Sequence, residues 1–211
     1  GYQLHDNYQE LFLNDNHTAN GIILPICFDG VHSKTYGGTT FLIHAAVGGS
    51  MDPETFGIDG GWGGHRTTPQ FVSKFDDADG RGMFYQDGQS LEVDNIAEFT
   101  TGYAITKFKN IHIEGTDTIS RGSDQAFTDT DFPLFRLADA YLMYAEAVVR
   151  SGASKTEAVG YVNQLRERAY GDASANIDEA GLTLDFILDE RARELYWEGH
   201  RRTDLIRYGL F

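Results

Sequence analysis

The sequence predicts a mainly α-helical protein, with helix pairs beside a large loop-rich region that holds a few short strands. Two observations carry this prediction. From about Pro133 onward, apolar residues recur at the 3.6-residue period of a helix. Before Pro133 lie 18 of the 24 glycines, among short apolar runs with no such period. We therefore divide the chain into a loop-rich region, 1–132, and a helical region, 133–211, which together form one structural unit.

The loop-rich region contains four segments with local order. Residues 21–28 and 39–47 are runs of aliphatic, aromatic and threonine side chains bounded by glycine, which predicts two short strands. A threonine followed by proline predicts a short helix over 69–75. Weak alternation over 103–109 predicts a third strand.

Two helices are predicted next, over 134–150 and 154–169. Pro133 is placed to begin the first helix, and its apolar stripe contains Leu134, Leu137, Ala138, Tyr141, Leu142, Ala145, Val148 and Val149. Ser154 and Glu157 have the spacing of a capping box for the second. The connection is too short for anything but a reversal, so the sequence predicts an antiparallel pair.

A third helix is predicted over 183–198, with Thr183 as N-cap, and a short fourth over 201–208. This segment is dense in charge: Glu190, Arg191, Arg193, Glu194, Glu198, Arg201, Arg202, Asp204 and Arg207. We interpret these residues as an ion network that locks helices together, and a binding patch is the alternative. Arg193 and Trp197 have the spacing of a cation–π pair on one helix face.

The overall composition excludes several classes of protein. Apolar residues make up 41% of the chain and the net charge is −15, which is typical of a folded domain that repels nucleic acid and anionic lipid. No run of 18 apolar residues is present. Cys27 lies in an apolar run, so we expect a buried small side chain.

No catalytic constellation is found. The chain has no metalloprotease, serine-hydrolase or Walker motif, and its seven histidines have no metal-ligand spacing. Residues 76–80 are similar to a calcium loop but lack carboxylates at its first and last positions, which favours a solvated acidic turn. We therefore predict no catalytic residues, no metal site, no cofactor and no enzyme activity.

Three blocks of sequence carry a family resemblance: FPLFRLADAYLMYAEA at 132–147, VNQLRERA at 162–169 and ILDERARELYWEGHRRTDLIRYG at 187–209. The last fits E-R-x-x-E-L-x-x-E-G-x-R-x-x-D-L-x-R-x-G, and DGR at 79–81 adds a further match. In combination they resemble the SusD/RagB family of outer-membrane nutrient-binding lipoproteins of Bacteroidetes. The resemblance covers 20–209.

The resemblance implies a scaffold of tetratricopeptide-like helix pairs beside a ligand-binding region. It also implies a cell-surface glycan- or nutrient-binding protein that acts as the lid of a TonB-dependent outer-membrane transporter. The family's members are longer and are held at the outer membrane by a lipid anchor, so we expect this chain to be a fragment without that anchor. Two alternatives stay open: a helical protein–protein scaffold without a small ligand, and a binder of peptide rather than glycan.

Sugars bind to aromatic rings flanked by polar groups, which directs attention to two glycine-rich loops. Trp62 lies among four glycines, with Asp59, His65 and Arg66 close in sequence, and Tyr36 precedes a second glycine pair. These five residues are our predicted carbohydrate-binding site. The alternative for Trp62 is a ring that fills the protein's own core, and we expect Trp197 to serve in packing.

Overall fold

The computed structural model describes residues 1–114 and 118–211. In those residues the chain forms six α-helices: α1 (Gly38–Ala46), α2 (Pro69–Val72), α3 (Leu137–Ser151), α4 (Thr156–Tyr170), α5 (Leu184–Leu195) and α6 (Arg201–Arg207). The strands are β1 (Ile22–Ile26), β2 (Phe84–Tyr85), β3 (Ala104–Ile105), β4 (Ile111–Glu114), β5 (Thr118–Arg121) and β6 (Phe132–Arg136). They pair antiparallel as β1–β6, β2–β3 and β4–β5. The mainly helical class is confirmed.

The antiparallel helix pair is confirmed in α3 and α4. The Tyr141 and Tyr161 rings stack at 4.4 Å, while Tyr144, further along α3, donates its hydroxyl to the Glu157 carboxylate near the start of α4. Later residues of α3 therefore contact earlier residues of α4, so the two helices run antiparallel. Leu142, Ala145, Val162 and Leu165 are fully buried between the helices and α5.

Two boundaries of this pair were predicted wrongly. Residues 132–136 form β6 instead of the first helical turn, because they pair with β1, more than 100 residues away along the chain. The helix starts only at Leu137, whose N–H donates to the Gly21 carbonyl. The predicted capping box of Ser154 and Glu157 is also absent, since Lys155 is the N-cap of α4. The Glu157 carboxylate instead accepts hydrogen bonds from the hydroxyls of Tyr144 and Tyr161.

The segment 39–47 was predicted as a strand and is helix α1. Thr39, Thr40, Ile43 and Ala46 are buried at the spacing of a helix that faces the core, while Phe41 lies outward. A short, continuous apolar run does not distinguish a strand from a helix buried on most sides. The correction matters because α1 carries Phe41 and His44, and its carboxyl end contacts the segment that holds Trp62.

The remaining predictions for the first region have mixed outcomes. The strand within 21–28 is confirmed as β1, 69–75 contains the single turn α2, and 103–109 shortens to the two-residue β3. Strands β2, β4 and β5 were not predicted. Cys27 is exposed, contrary to expectation, because it follows the outer end of a two-stranded sheet.

At the carboxyl end, Thr183 caps α5 as predicted, accepting a hydrogen bond from the Phe186 N–H. The helix ends at Leu195, three residues early, because the buried Tyr196 donates its hydroxyl to the Arg81 carbonyl and Trp197 adopts φ of +61°. The predicted Arg193–Trp197 pair is therefore wrong, and the Arg193 guanidinium lies over Phe186 instead.

Buried side chains form two clusters. One joins Phe12, Ile43, Val47 and Phe108 of the first region with Tyr196. The other fills the space between α3, α4 and α5. The division at residue 132 stays a prediction.

Candidate functional site

Three exposed aromatic rings lie together on one surface, which we call the aromatic platform: Tyr36, Phe41 and Trp62. The Trp62 ring centroid is 6.3 Å from that of Tyr36 and 6.1 Å from that of Phe41, with planes tilted by 52° and 51°. Tyr36 is 68% exposed, Phe41 44% and Trp62 45%. Large rings exposed side by side are uncommon on a soluble surface and are typical of binding sites.

Helix α1 and a glycine-rich segment, Gly60–Gly64, build this platform. The last carbonyls of a helix have no partner within the helix. Here the glycine-rich segment supplies partners: the Trp62 N–H donates to His44 O at 2.8 Å, and the Gly63 N–H donates to Val47 O at 2.9 Å. The contact is so close that a Cβ on Gly61 would lie 2.2 Å from Val47 O. The glycines therefore allow the segment that carries Trp62 to pack directly against the carboxyl end of α1.

The three polar residues predicted for the site have different surroundings. Asp59 is exposed at the start of the glycine-rich segment, and its N–H donates to Gln125 O. Arg66 donates to the carbonyls of Gly64 and Ile96. The structure thus places Asp59 toward solvent and uses the Arg66 side chain to hold neighbouring loops.

His65 belongs to the edge of the platform. Its ring meets Phe41 edge-on at 4.7 Å and Trp197 edge-on at 4.9 Å. Burial against these rings lowers the pKa of His65. The neutral imidazole therefore extends the row of rings toward Trp197, which packs against the first core cluster.

The structure places the predicted site residues Tyr36 and Trp62 next to each other, together with Phe41, His44 and Phe127, which the prediction did not include. The His44 ring stacks on Trp62 at 4.7 Å, and Phe127 meets Tyr36 at 5.0 Å. The helical spacing of Phe41 and His44 was available as a signal, but reading the segment as a strand places them on opposite faces.

The charged segment of α5 is a buried ion network, as we interpreted it. Glu194 accepts hydrogen bonds from Arg81, Arg136 and Arg168, at 3.2, 2.9 and 2.6 Å. Further members are Asp79, Lys107, Arg166, Glu190, Arg193 and Glu198. The network ties α5 to α4, to β6 and to the loop at 79–81, so these charges serve the fold.

Electrostatics keep the buried glutamates of this network, Glu190, Glu194 and Glu198, ionised, because their pKa values are lowered. Burial raises the pKa of Glu190, but the guanidinium groups of Arg81, Arg193 and Arg166 outweigh it and hold the pKa at about 2. Burial lowers the pKa of Lys107 to about 8, with Glu198 opposing the shift. The charges of Glu190 and Lys107 thus depend on their partners.

Residues 1–114 and 118–211 contain neither a cluster of metal ligands nor a membrane-spanning helix. No three or more histidine, cysteine, aspartate or glutamate side chains are placed to hold a metal ion there. No helix in this part of the chain is long and apolar enough to cross a membrane.

The network contains charged residues of α5, which lie within the part of the chain that matches a known family. The SusD family model matches residues 83–211. The chain belongs to the SusD family. The starch-binding protein SusD of Bacteroides thetaiotaomicron is 32% identical over 261 aligned positions, which cover all of this chain and 45% of that protein. SusD-like protein P38 of Formosa agariphila is 42% identical over 88 positions, covering 37% of this chain and 17% of that protein.

Solved structures show the same fold. Surface glycan-binding protein A from Bacteroides thetaiotaomicron in complex with laminarihexaose has a TM-score of 0.70 at 23% identity, covering 99% of this chain and 47% of its own. The protein of that name from Bacteroides fluxus has a TM-score of 0.73 at 21% identity, covering 99% and 44%. The chain thus spans less than half the length of these relatives.

Proposed function

We propose that this chain forms part of a cell-surface glycan-binding protein, and that the aromatic platform contacts the glycan. The observation that carries the proposal is the group of three exposed rings, of which Tyr36 precedes α1, Phe41 lies on α1 and Trp62 packs against its carboxyl end. Sugar rings have apolar faces that stack on aromatic side chains, and rigid rings bind at a low cost in conformational entropy. Asp59, three residues before Trp62 in the chain, is exposed, and its carboxylate can accept hydrogen bonds from sugar hydroxyls.

The relatives support this class of ligand. One is named for binding starch, and another was solved with laminarihexaose. The planes of Tyr36 and Phe41 are tilted by 52° and 51° to that of Trp62, so a ligand that contacts all three rings must present faces at different angles. Peptide binding and a purely structural scaffold are the alternatives that the experiment below must exclude.

Replacement of Trp62 tests the proposal. We expect Trp62→Ala to weaken binding to a glycan array by about five- to 150-fold, because an aromatic contact buried by a ligand contributes about 1–3 kcal/mol. Tyr2→Ala is the control, since Tyr2 is also an exposed aromatic residue, at 58% against 45% for Trp62, and is not one of the platform rings. The far-UV circular dichroism of both variants should match that of the parent protein.

A glycan array on which the parent protein binds nothing, while a peptide array gives a signal, would favour the peptide alternative. Equal binding by Trp62→Ala and the parent would refute the site but leave glycan binding intact. Incubation with the oligosaccharides that bind, followed by a reducing-sugar assay, tests the expectation that the protein is no enzyme.

The family also suggests a partner and a location. We propose that the whole protein is anchored by lipid at the outer-membrane surface and acts as the lid of a TonB-dependent transporter. Co-expression with a transporter encoded beside its gene, followed by affinity purification from detergent-solubilised outer membranes, tests both points. Recovery of the protein without the transporter, or in the soluble fraction only, would contradict them.

A further inference from the structure

His44 lies directly behind the central ring of the aromatic platform. Its imidazole and the Trp62 indole are stacked, with centroids 4.7 Å apart and planes 22° from parallel. His44 is 1% exposed, whereas Trp62 is 45% exposed. The imidazole therefore covers the inner face of the indole and leaves the outer face to solvent.

Two hydrogen bonds tie His44 to the segment that carries Trp62. The ring Nδ1 lies 2.7 Å from Gly60 O, and because a carbonyl only accepts, Nδ1 carries the hydrogen and donates. The His44 carbonyl in turn accepts from the Trp62 N–H at 2.8 Å. His44 thus contacts the chain on both sides of Gly61, and its ring cannot turn without breaking the first bond.

The other ring nitrogen shows that packing alone does not account for a histidine here. Nε2 is buried and has no hydrogen-bond partner among residues 1–114 and 118–211. A buried polar atom without a partner is unfavourable, and a phenyl ring would avoid that cost. A phenyl ring, however, could not bond Gly60, whereas a flat ring with one N–H both stacks and bonds.

We propose that His44 is a positioning residue: it fixes the Trp62 indole with one face outward, so that a ligand stacks on that single face. The consequence for binding rests on the glycan-binding function proposed above. The orientation of Trp62 does not, and it can be measured without any ligand.

Fluorine NMR of protein labelled with 5-fluorotryptophan provides that measurement. The chain has two tryptophans, so two resonances are expected, and Trp62→Phe assigns them. His44→Asn keeps an N–H near the place of Nδ1 but removes the ring, while His44→Phe keeps a ring and removes the bond. His17→Asn, at an exposed histidine, is the control.

In His44→Asn we expect the Trp62 resonance to shift and broaden and acrylamide quenching of tryptophan fluorescence to increase. Affinity for laminarihexaose and maltohexaose, the two probes, should fall about fivefold, because the Trp62 indole loses the ring stacked behind it. His44→Phe should broaden the same resonance and lower affinity about twofold. The Trp197 resonance and the control should not change.

An unchanged Trp62 resonance in a folded His44→Asn protein would overturn the proposal. If that variant does not fold, His44→Phe decides: a sharp, unshifted Trp62 line would overturn it equally. A parent protein that binds neither probe, combined with the expected NMR changes, would support the positioning role while counting against glucan as the ligand. If Trp62→Ala loses glycan binding while His44→Asn keeps the binding and the spectra of the parent protein, the proposed glycan site would be supported and the positioning role of His44 would be overturned.

Discussion

Replacement of Glu194 by glutamine tests whether the family signature on α5 is structural. The fully buried carboxylate accepts from Arg81, Arg136 and Arg168. Arg81 and Arg136 keep other carboxylates, but Arg168 has no second one among residues 1–114 and 118–211. Removal of one partner from a buried ion pair costs about 3–5 kcal/mol, because the charge that remains is desolvated and unpaired.

Because glutamine keeps the shape and one acceptor oxygen, we expect a loss in the free energy of unfolding near the lower end, about 3 kcal/mol. With a urea m-value of about 2 kcal/mol/M, the unfolding midpoint should fall by about 1.5 M. Urea titration followed by far-UV circular dichroism measures this. Glu92→Gln, at an exposed glutamate, is the control and should stay within about 0.3 M of the parent.

A Glu194→Gln midpoint as close to the parent as that of the control would refute this reasoning. So would a variant that stays folded in buffer but no longer binds the glycan that the parent binds. The second result would mean that the charged segment takes part in recognition, which is the interpretation that the buried geometry argues against.

Three further outcomes are expected. Glu190 has a pKa of about 2 in the folded protein, below its unfolded value of about 4.3, so the unfolded chain binds more protons between these values. Stability should therefore fall as pH drops from 5 to 2, by up to about 3 kcal/mol from this group, and urea midpoints that do not change with pH would contradict it. Leu142→Ala should cost about 2–5 kcal/mol by leaving a cavity between the helices, whereas its exposed neighbour in Met143→Ala should change stability by less than about 0.5 kcal/mol, as thermal melts can show. Gly61→Ala should displace the Trp62 segment and weaken glycan binding, because its Cβ would clash with Val47 O, while Gly60→Ala, with open space around its Cβ, should bind like the parent in isothermal titration calorimetry.

The outcome of each sequence prediction depended on the range of the interactions involved. The helix pair α3–α4 and the Thr183 cap rest on residues close together in the chain, and both were predicted. The predicted start of α3 was wrong because residues 132–136 form a strand that pairs with β1, which is distant along the chain. Helix α1 was taken for a strand because its apolar run has no period until one knows which side faces the core.

The candidate site was predicted only in part for the same reason. Four glycines around Trp62 indicated an open loop, and the ring is half-exposed there. The seat of that ring could not be predicted, because it consists of helix-end carbonyls of α1 and the His44 ring, neither of which has a local sequence signal.

By itself, the sequence determined the family, the helical region and the acidic surface, because periodicity, motif spacing and net charge are read from residues along the chain. Only the tertiary structure decided that the signature charges are buried in one network and that Tyr36, Phe41 and Trp62 share a surface. The physical reason is that burial and the stacking of rings are set by the packing of segments distant in sequence. The identity of a charged or aromatic residue does not show whether its side chain lies in the interior or faces a ligand.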